Sequence, residues 1–343
     1  MILFQILRVI MQVNVLGSEY GEVGISVVLC CYNSSARLSP TLKHLALQEF
    51  DNALEWEVVL VNNCSTDDTT AVAQREWEKY SSSAVGFHIF DELTPGLSHA
   101  REKGISSSRF QYIVFCDDDN WLGNRYLQTV FNLLTKNSKI AAVGGQSRVI
   151  SDTDLPSWFE TSKDHYAVGQ QASHSCDISK RKYLWGSGLS FKKEIYRKAF
   201  FNFPSLLTGR RGEELTSGED SEMCMRFLLM GYQLYYSDQL EFTHFIPRER
   251  LTTVYDAKLV EGFVKAYEVL KIYARFIDLV NLRLKERFMI VSKSLLKLIV
   301  LNFLQTNRWN PENEKLNIFI ITGYPLGIIN TDLVHMRKLI IPD

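Results

Sequence analysis

Residues 25–33 read ISVVLCCYN. Ile25 through Cys31 form a continuous apolar run, the pattern of a strand covered on both faces. Similar runs recur at residues 56–61 (WEVVLV), 87–91 and 112–116 (YIVFC). Between them lie helical stretches: residues 39–46, with Ser39 as cap and Pro40 in the first helical position, the segment after the turn NNCSTDDTT, and residues 96–107. Strand and helix taking turns at this spacing predict an α/β fold, a mostly parallel sheet with helices on both faces. In such sheets the ligand crevice lies beyond the carboxyl ends of the strands. Cys31-Tyr32-Asn33, Asn62-Asn63-Cys64-Ser65 and Asp117-Asp118-Asp119 each follow an apolar strand, so all three polar sets are expected on one edge.

The rhythm changes after residue 150. Loops dominate to about residue 182, WGSG (residues 185–188) precedes a strand or helix, and residues 219–230 read as an amphipathic helix ended by Gly231. Residues 257–305 are helical throughout by pattern.

The 343-residue chain is 46% hydrophobic and 22% charged, enough for a substantial core. Its 38 basic and 39 acidic residues leave a net charge of −1, so no global field steers nucleic acid, which is not expected as a partner. Six cysteines (Cys30, Cys31, Cys64, Cys116, Cys176, Cys224) show no Cys-x-x-Cys spacing, which argues against a zinc site and favours a reducing, cytoplasmic compartment. Residues 1–17 are apolar but interrupted by Gln5, Arg8, Gln12 and Asn14, too short and polar to span a bilayer. They read equally as a loose lead-in or a surface-docking helix.

Three adjacent aspartates repel one another unless a positive group sits among them. A strand-end triplet supplies the hard oxygen ligands that Mg²⁺ or Mn²⁺ prefers, and it equally suits a solvated turn with Asp119 capping a helix near Trp121. NNCSTDDTT offers a helix N-terminus to an anion or base edge, yet any helix start looks like this. In PGLSHAREKG, Gly96 permits close backbone approach and Arg101 is a phosphate-type donor, or a plain surface arginine. In SGEDSEMCMRF, Glu219 and Asp220 open a helix, where one could act as a base or both could simply favour the helix dipole.

Together, in this order, the four sets resemble the family 2 glycosyltransferases, an inverting group with a GT-A (Rossmann-like) fold. VVLCCYNSSARL matches the family's opening strand and Tyr-Asn, VVLVNNCSTDD its second strand end, GLSHAR its Gly-x-x-x-Ala-Arg segment, DDDN its Asp-x-Asp metal motif and GEDSEMCMR its Glu-Asp pair. The resemblance covers residues 24–250. It implies an enzyme moving a sugar from a nucleoside-diphosphate sugar to a hydroxyl of a glycan or lipid-linked glycan, in surface polysaccharide biosynthesis. By that resemblance Cys31, Tyr32, Asn33, Asn63, Ser65, Arg101, Asp117, Asp118, Trp185 and Gly186 surround the donor. Asp119, with Asp117 and His244, holds Mn²⁺ or Mg²⁺; Asp220 is the general base, oriented by Glu219. The implied division is a lead-in (1–23), a donor half (24–150), an acceptor half (151–250) and a helical region (251–343).

This chain departs from the family at Cys30-Cys31, where Pro-Thr is common, and at Asn62, usually Asp. No Gln-x-x-Arg-Trp motif follows the Glu-Asp pair, which favours single addition over polymerisation. A sugar nucleotidyltransferase would carry a glycine-rich loop after the first strand, and CCYNSSARL has no glycine. A phosphate-receiver domain would want an acid where Asn33 stands. A non-catalytic nucleotide-sugar-binding relative would lose the Glu-Asp pair.

The segment RLKERFMIVSKSLLKLIVLNFLQ carries Arg283, Lys285, Arg287, Lys293 and Lys297 among apolar residues. It reads as a peripheral contact to the inner face of the cytoplasmic membrane, or as a packed helix with a basic outer face.

Overall fold

The computed structural model describes residues 21–80, 85–210, 215–304, 310–327 and 330–340. Residues 1–17, expected to form a loose lead-in or a surface-docking helix, lie outside the described residues.

Nine strands and eleven helices follow in chain order: β1 (Glu22–Cys31), α1 (Leu38–Ala46), β2 (Trp56–Asn63), α2 (Thr69–Tyr80), β3 (Gly86–Glu92), α3 (Leu97–Ser107), β4 (Phe110–Asp117), β5 (Asn120–Leu122), α4 (Tyr126–Lys136), β6 (Ile140–Ile150), α5 (Phe159–Ser162), β7 (Cys176–Asp177), β8 (Ser190–Lys192), α6 (Lys193–Phe200), α7 (Glu219–Leu229), β9 (Gln233–Phe245), α8 (Thr253–Val280), α9 (Leu284–Leu304), α10 (Pro311–Thr322) and α11 (Thr331–Ile340), all counted among the described residues. The sheet order is β3-β2-β1-β4-β8-β6-β9-β5, with β7 added on β9. The first four strands are parallel, as expected. Beyond β4 the sheet is mixed: β8 runs antiparallel to β4 and β6, β6 and β9 are parallel, and β5 is antiparallel to β9. The long apolar strands fixed the parallel half, whereas three-residue β5 and β8 carry too little pattern to signal direction.

The chain leaves β1 to one side to make β2 and β3, then returns to place β4 on the other side. This reversal is the topological switch point, where such sheets bind ligands. In register, Cys31 sits beside Asn62 and Cys30 beside Asp117.

The run ISVVLCC serves both faces by alternation. Ile25, Val27, Leu29 and Cys31 pack with Leu38, Leu42 and Leu45 of α1 and Trp77 of α2. Val28 points the other way, towards Ile105 of α3, Ile195 of α6 and Phe227 of α7. Gly104 lets α3 press onto this second face: a Cβ there would stand 2.3 Å from Val28 Cγ1. Exchange of Gly for Ala in a helix ordinarily gains about 1 kcal/mol. Overpacking against a stiff, buried valine costs about 1–3 kcal/mol, so Gly104→Ala is expected to destabilise the fold. Urea unfolding checks the sign; a raised midpoint would mean that α3 can lift freely.

Three local expectations are corrected. Ser39 does not cap α1: the helix begins at Leu38 after a turn in which Ser34 O accepts from the amides of Arg37 and Leu38. Ser39 Oγ instead donates to Glu76 Oε2 of α2 at 2.6 Å. No helix begins at Trp121, because Asn120–Leu122 pairs with β9, and Asp119 therefore caps nothing. The helical stretch from 257 onward is two helices, α8 and α9, broken where Asn281 ends the first. A third apolar cluster joins α7, α8, α10 and α11 through Met225, Phe276, Ile320 and Met336.

Candidate active site

The β1 and β2 ends are tied to each other. Asn33, at φ 48°, accepts from Thr66 N (2.8 Å) through its side chain, and its own amide donates to Ser65 Oγ (3.0 Å). Tyr32 beside it is exposed at the crevice lip. Cys31 is corrected: its thiol lies in the core under α1, away from the crevice, and burial pushes its pKa well up. Asn63 is buried and fully engaged, accepting from Gly96 N (2.8 Å) and donating to Glu92 O (3.1 Å) and Thr94 O (2.8 Å). It fixes the loop into α3 and has no donor left to read a base. Its neighbour Asn62 donates to Asp91 Oδ1 at 2.8 Å and keeps a buried Oδ1 without a partner. That open acceptor at the β2 end was signalled in the sequence only as a departure from the family pattern.

The three aspartates part company. Asp118 turns beneath the β1–α1 connection, where it accepts from Ser34 Oγ and from Arg37 at 2.7 Å. Burial and the nearby Asp119 charge push its pKa up against the pull of Arg37. It is a tie between loops, which corrects its expected place at the donor sugar. Asp117 accepts from Ser187 Oγ and Asn120 Nδ2, both at 3.2 Å, and lies 3.7 Å from Arg101. Asp119 pairs through Oδ2 with Arg250 at 2.7 Å, a residue that sequence reading missed. Burial alone would raise the Asp119 pKa, but the positive charge of His244 when protonated, with the guanidinium groups of Arg250 and Arg37, outweighs it and holds the carboxylate below its usual range.

The other oxygen of Asp119 faces His244 Nε2 at 3.6 Å. His244 Nδ1 lies 2.9 Å from the Tyr166 carbonyl, so Nδ1 carries the proton and Nε2 presents its lone pair. Burial pushes the His244 pKa down, which keeps the ring neutral. Two acceptors thus oppose each other across a gap that a cation would relieve, and an imidazole with a carboxylate suits Mn²⁺ or Mg²⁺ whose other ligands come from phosphate and water. Asp117 does not join them: among the described residues no three His, Cys, Asp or Glu side chains could hold a metal together. The residues that could contribute to such a site are Asp119 and His244.

Arg101 is buried, stacks on Phe115 at 4.6 Å and donates to Glu219 Oε1 at 3.1 Å, which ties it to the head of α7. Glu219 and Asp220 open α7 behind Gly218, which adopts φ 107°. Burial pushes the Glu219 pKa up, Arg101 draws it down and the adjacent Asp220 raises it again. Its Oε2 is buried without a partner. Asp220 Oδ1 accepts from Ser221 N at 2.7 Å, leaving Oδ2 uncommitted. That oxygen stands 2.6 Å from where a Cβ on Gly186 would be, so the WGSG glycine clears the space in front of the carboxylate. Trp185, buried beside it, is held by Gln171 and covered by Arg181. From Asp117 through Arg101 to Glu219, with Gly186 against Arg101 and Asp220, one continuous set spans both halves of the sheet.

The chain aligns with GlyA of Streptococcus pneumoniae, a glycosyltransferase, at 20% identity over 71% of this chain and 33% of GlyA. It aligns with the poly(ribitol-phosphate) beta-glucosyltransferase of Bacillus spizizenii at 23% identity over 66% of this chain and 32% of that protein. It therefore spans about a third of the length of these relatives. Among solved structures it is similar to Staphylococcus aureus TarS 1–349 in complex with UDP-GlcNAc, with TM-score 0.53, 15% identity and coverage of 93% and 90% of the two chains. It is also similar to the mannosyltransferase PcManGT of Pyrobaculum calidifontis in complex with GDP-Man and Mn²⁺, with TM-score 0.50, 18% identity and coverage of 71% and 64%. Both likenesses confirm the GT-A sheet. Residues 26–200, from β1 through α6, match the model of glycosyl transferase family 2; the chain belongs to that family and is a glycosyltransferase.

Proposed function

We propose that the chain transfers a sugar, with inversion, from a nucleoside-diphosphate sugar to a hydroxyl of a glycan or lipid-linked glycan during polysaccharide assembly. The observation that carries this reading is Asp220, a half-buried carboxylate with one free oxygen facing the cleared Gly186 at the switch point. The nucleotide sugars in the TarS and PcManGT complexes and the polymer named for the Bacillus spizizenii relative support it. Residues 24–150 would bind the donor, with Tyr32 on the base and Asn62 at its edge. Residues 151–250 would receive the acceptor.

In a single displacement the acceptor oxygen bonds to the anomeric carbon as that carbon's bond to the diphosphate oxygen breaks. Attack comes from the face opposite the leaving group, which inverts the configuration, and the hydroxyl proton passes to Asp220. Glu219, kept beside Arg101, holds the start of α7 in place. Asp119 and His244 would hold Mn²⁺ or Mg²⁺, which when bound supplies charge to offset the departing diphosphate. Arg250 brings a guanidinium to the same corner.

The test is a thermal-shift panel of UDP, GDP, dTDP and CMP with and without Mn²⁺. One nucleoside diphosphate is expected to stabilise the protein in a Mn²⁺-dependent way, and Asp119→Ala to abolish that dependence. Equal stabilisation in EDTA would remove the metal from the mechanism; no stabilisation by any nucleotide would overturn the donor class.

A further inference from the structure

The packed alternative for the C-terminal basic segment predicts a polar outer face, and α9 has the reverse. Leu284, Phe288 and Leu296 are 83%, 73% and 61% exposed, and Met289, Leu295 and Ile299 are exposed with them. At helical spacing these six fall within a sector of about 140°. Three polar side chains turn inward instead. Ser294 Oγ donates to Glu314 Oε2 of α10 at 2.6 Å, Lys297 Nζ to Glu314 Oε1 at 2.7 Å, and Arg287 to the carbonyls of Leu282 and Val280.

Of the four charges left outside, three are positive. Lys285 is exposed within the apolar sector and Lys293 at its rim, and neither forms an ion pair among the described residues. Arg283 stands exposed just before the helix. Glu286, the one acid of α9, lies off the sector and accepts from the Arg283 amide at 2.8 Å. The exposed apolar residues of neighbouring α8 differ: Val260, Phe263, Val264 and Tyr267 lie among the Glu261–Lys265 and Glu268–Lys271 pairs, where charge is balanced. Among the described residues no helix is long and apolar enough to cross a membrane.

We propose that the outward face of α9 docks the protein on an anionic membrane surface. An apolar face rimmed mainly by cations suits the boundary between acyl chains and phosphate headgroups, where burial and electrostatic attraction act together. Leu284, Phe288, Leu296 and Ile299 enter the boundary, while Arg283, Lys285 and Lys293 reach lipid phosphates. The face lies outside the catalytic crevice, so this inference stands independently of the proposed reaction.

The test is co-flotation of the full chain with vesicles of phosphatidylcholine alone or mixed with phosphatidylglycerol, at low and high salt. Binding is expected only with phosphatidylglycerol and to weaken with salt. Phe288→Glu combined with Leu296→Glu is expected to reduce binding about tenfold or more, and Lys285→Glu with Lys293→Glu to remove the lipid selectivity. All four positions are exposed, and an unchanged melting temperature confirms that the variants fold. No flotation with the anionic vesicles, or equal flotation of the variants, overturns the proposal. A parent dimer that the Glu variants convert to monomer also overturns it, because the face would then belong to a second copy.

Discussion

Asp220→Asn is expected to lower turnover by about 10²–10⁴-fold, the usual contribution of a general base, while nucleotide binding is unchanged. The split follows from position. Asp220 Oδ1 is anchored by the Ser221 amide at the head of α7, and an asparagine oxygen can keep that bond. The substitution removes only the capacity of the second oxygen to take a proton in front of Gly186. Single-turnover transfer checks the rate, and calorimetry with the nucleotide checks binding. Full activity in the variant would remove Asp220 from the role of base. Loss of nucleotide affinity in step with rate would mean that the carboxylate organises the donor instead.

The largest effect on stability is expected at Arg226. Both it and Glu222 are completely buried and joined at 2.7 Å, one turn apart on α7. Arg226 also donates to the carbonyls of Ala199 (3.0 Å), Phe203 (2.5 Å) and Pro204 (2.8 Å). Glu222 in turn accepts from Ser205 Oγ (2.6 Å), from the amides of Leu206 and Leu207, and from Tyr273 of α8 (2.8 Å). The network therefore holds residues 199–207 against α7. The chain beyond them continues to Gly209, whose amide donates to Ser98 Oγ at 2.7 Å, and packs against Glu219. Removing one partner of a buried pair strands a charge and costs about 3–5 kcal/mol. Against a typical total of about 5–15 kcal/mol, Arg226→Ala brings the domain close to unfolding at ordinary temperature. Tyr273→Phe, which removes one hydrogen bond to the same carboxylate and one accepted from Arg226 Nε, should cost about 1.5–3 kcal/mol and remain measurable by urea unfolding. A shift of zero for Tyr273→Phe would mean that the network is not formed in solution.

The division of roles among the carboxylates shows why the rest of the site was hidden. Asp117, Asp118 and Asp119 are indistinguishable by type and stand at one strand end. Their neighbours come from elsewhere in the chain: Arg101 from α3, Arg37 from the turn before α1, Arg250 from beyond β9. No local pattern links residue 119 to residue 250. Asn63 was found as a polar residue at the right edge, yet it spends its hydrogen bonds on the protein, because a buried donor without a partner costs more than an open binding group gains. Cys31 was misplaced for a simpler reason. Alternation along β1 sends it to the α1 face, and one residue decides between core and crevice.

The sequence by itself determined the parallel half-sheet, the strand-end position of the acids and the family, because apolar periodicity and short motifs are local properties of the chain. The tertiary structure alone decided which carboxylate faces which cation, which amides are already spent, and that α9 turns its apolar side outward. Each of these depends on partners distant in sequence, and the energy of a buried polar or charged group is set by those partners rather than by its own identity.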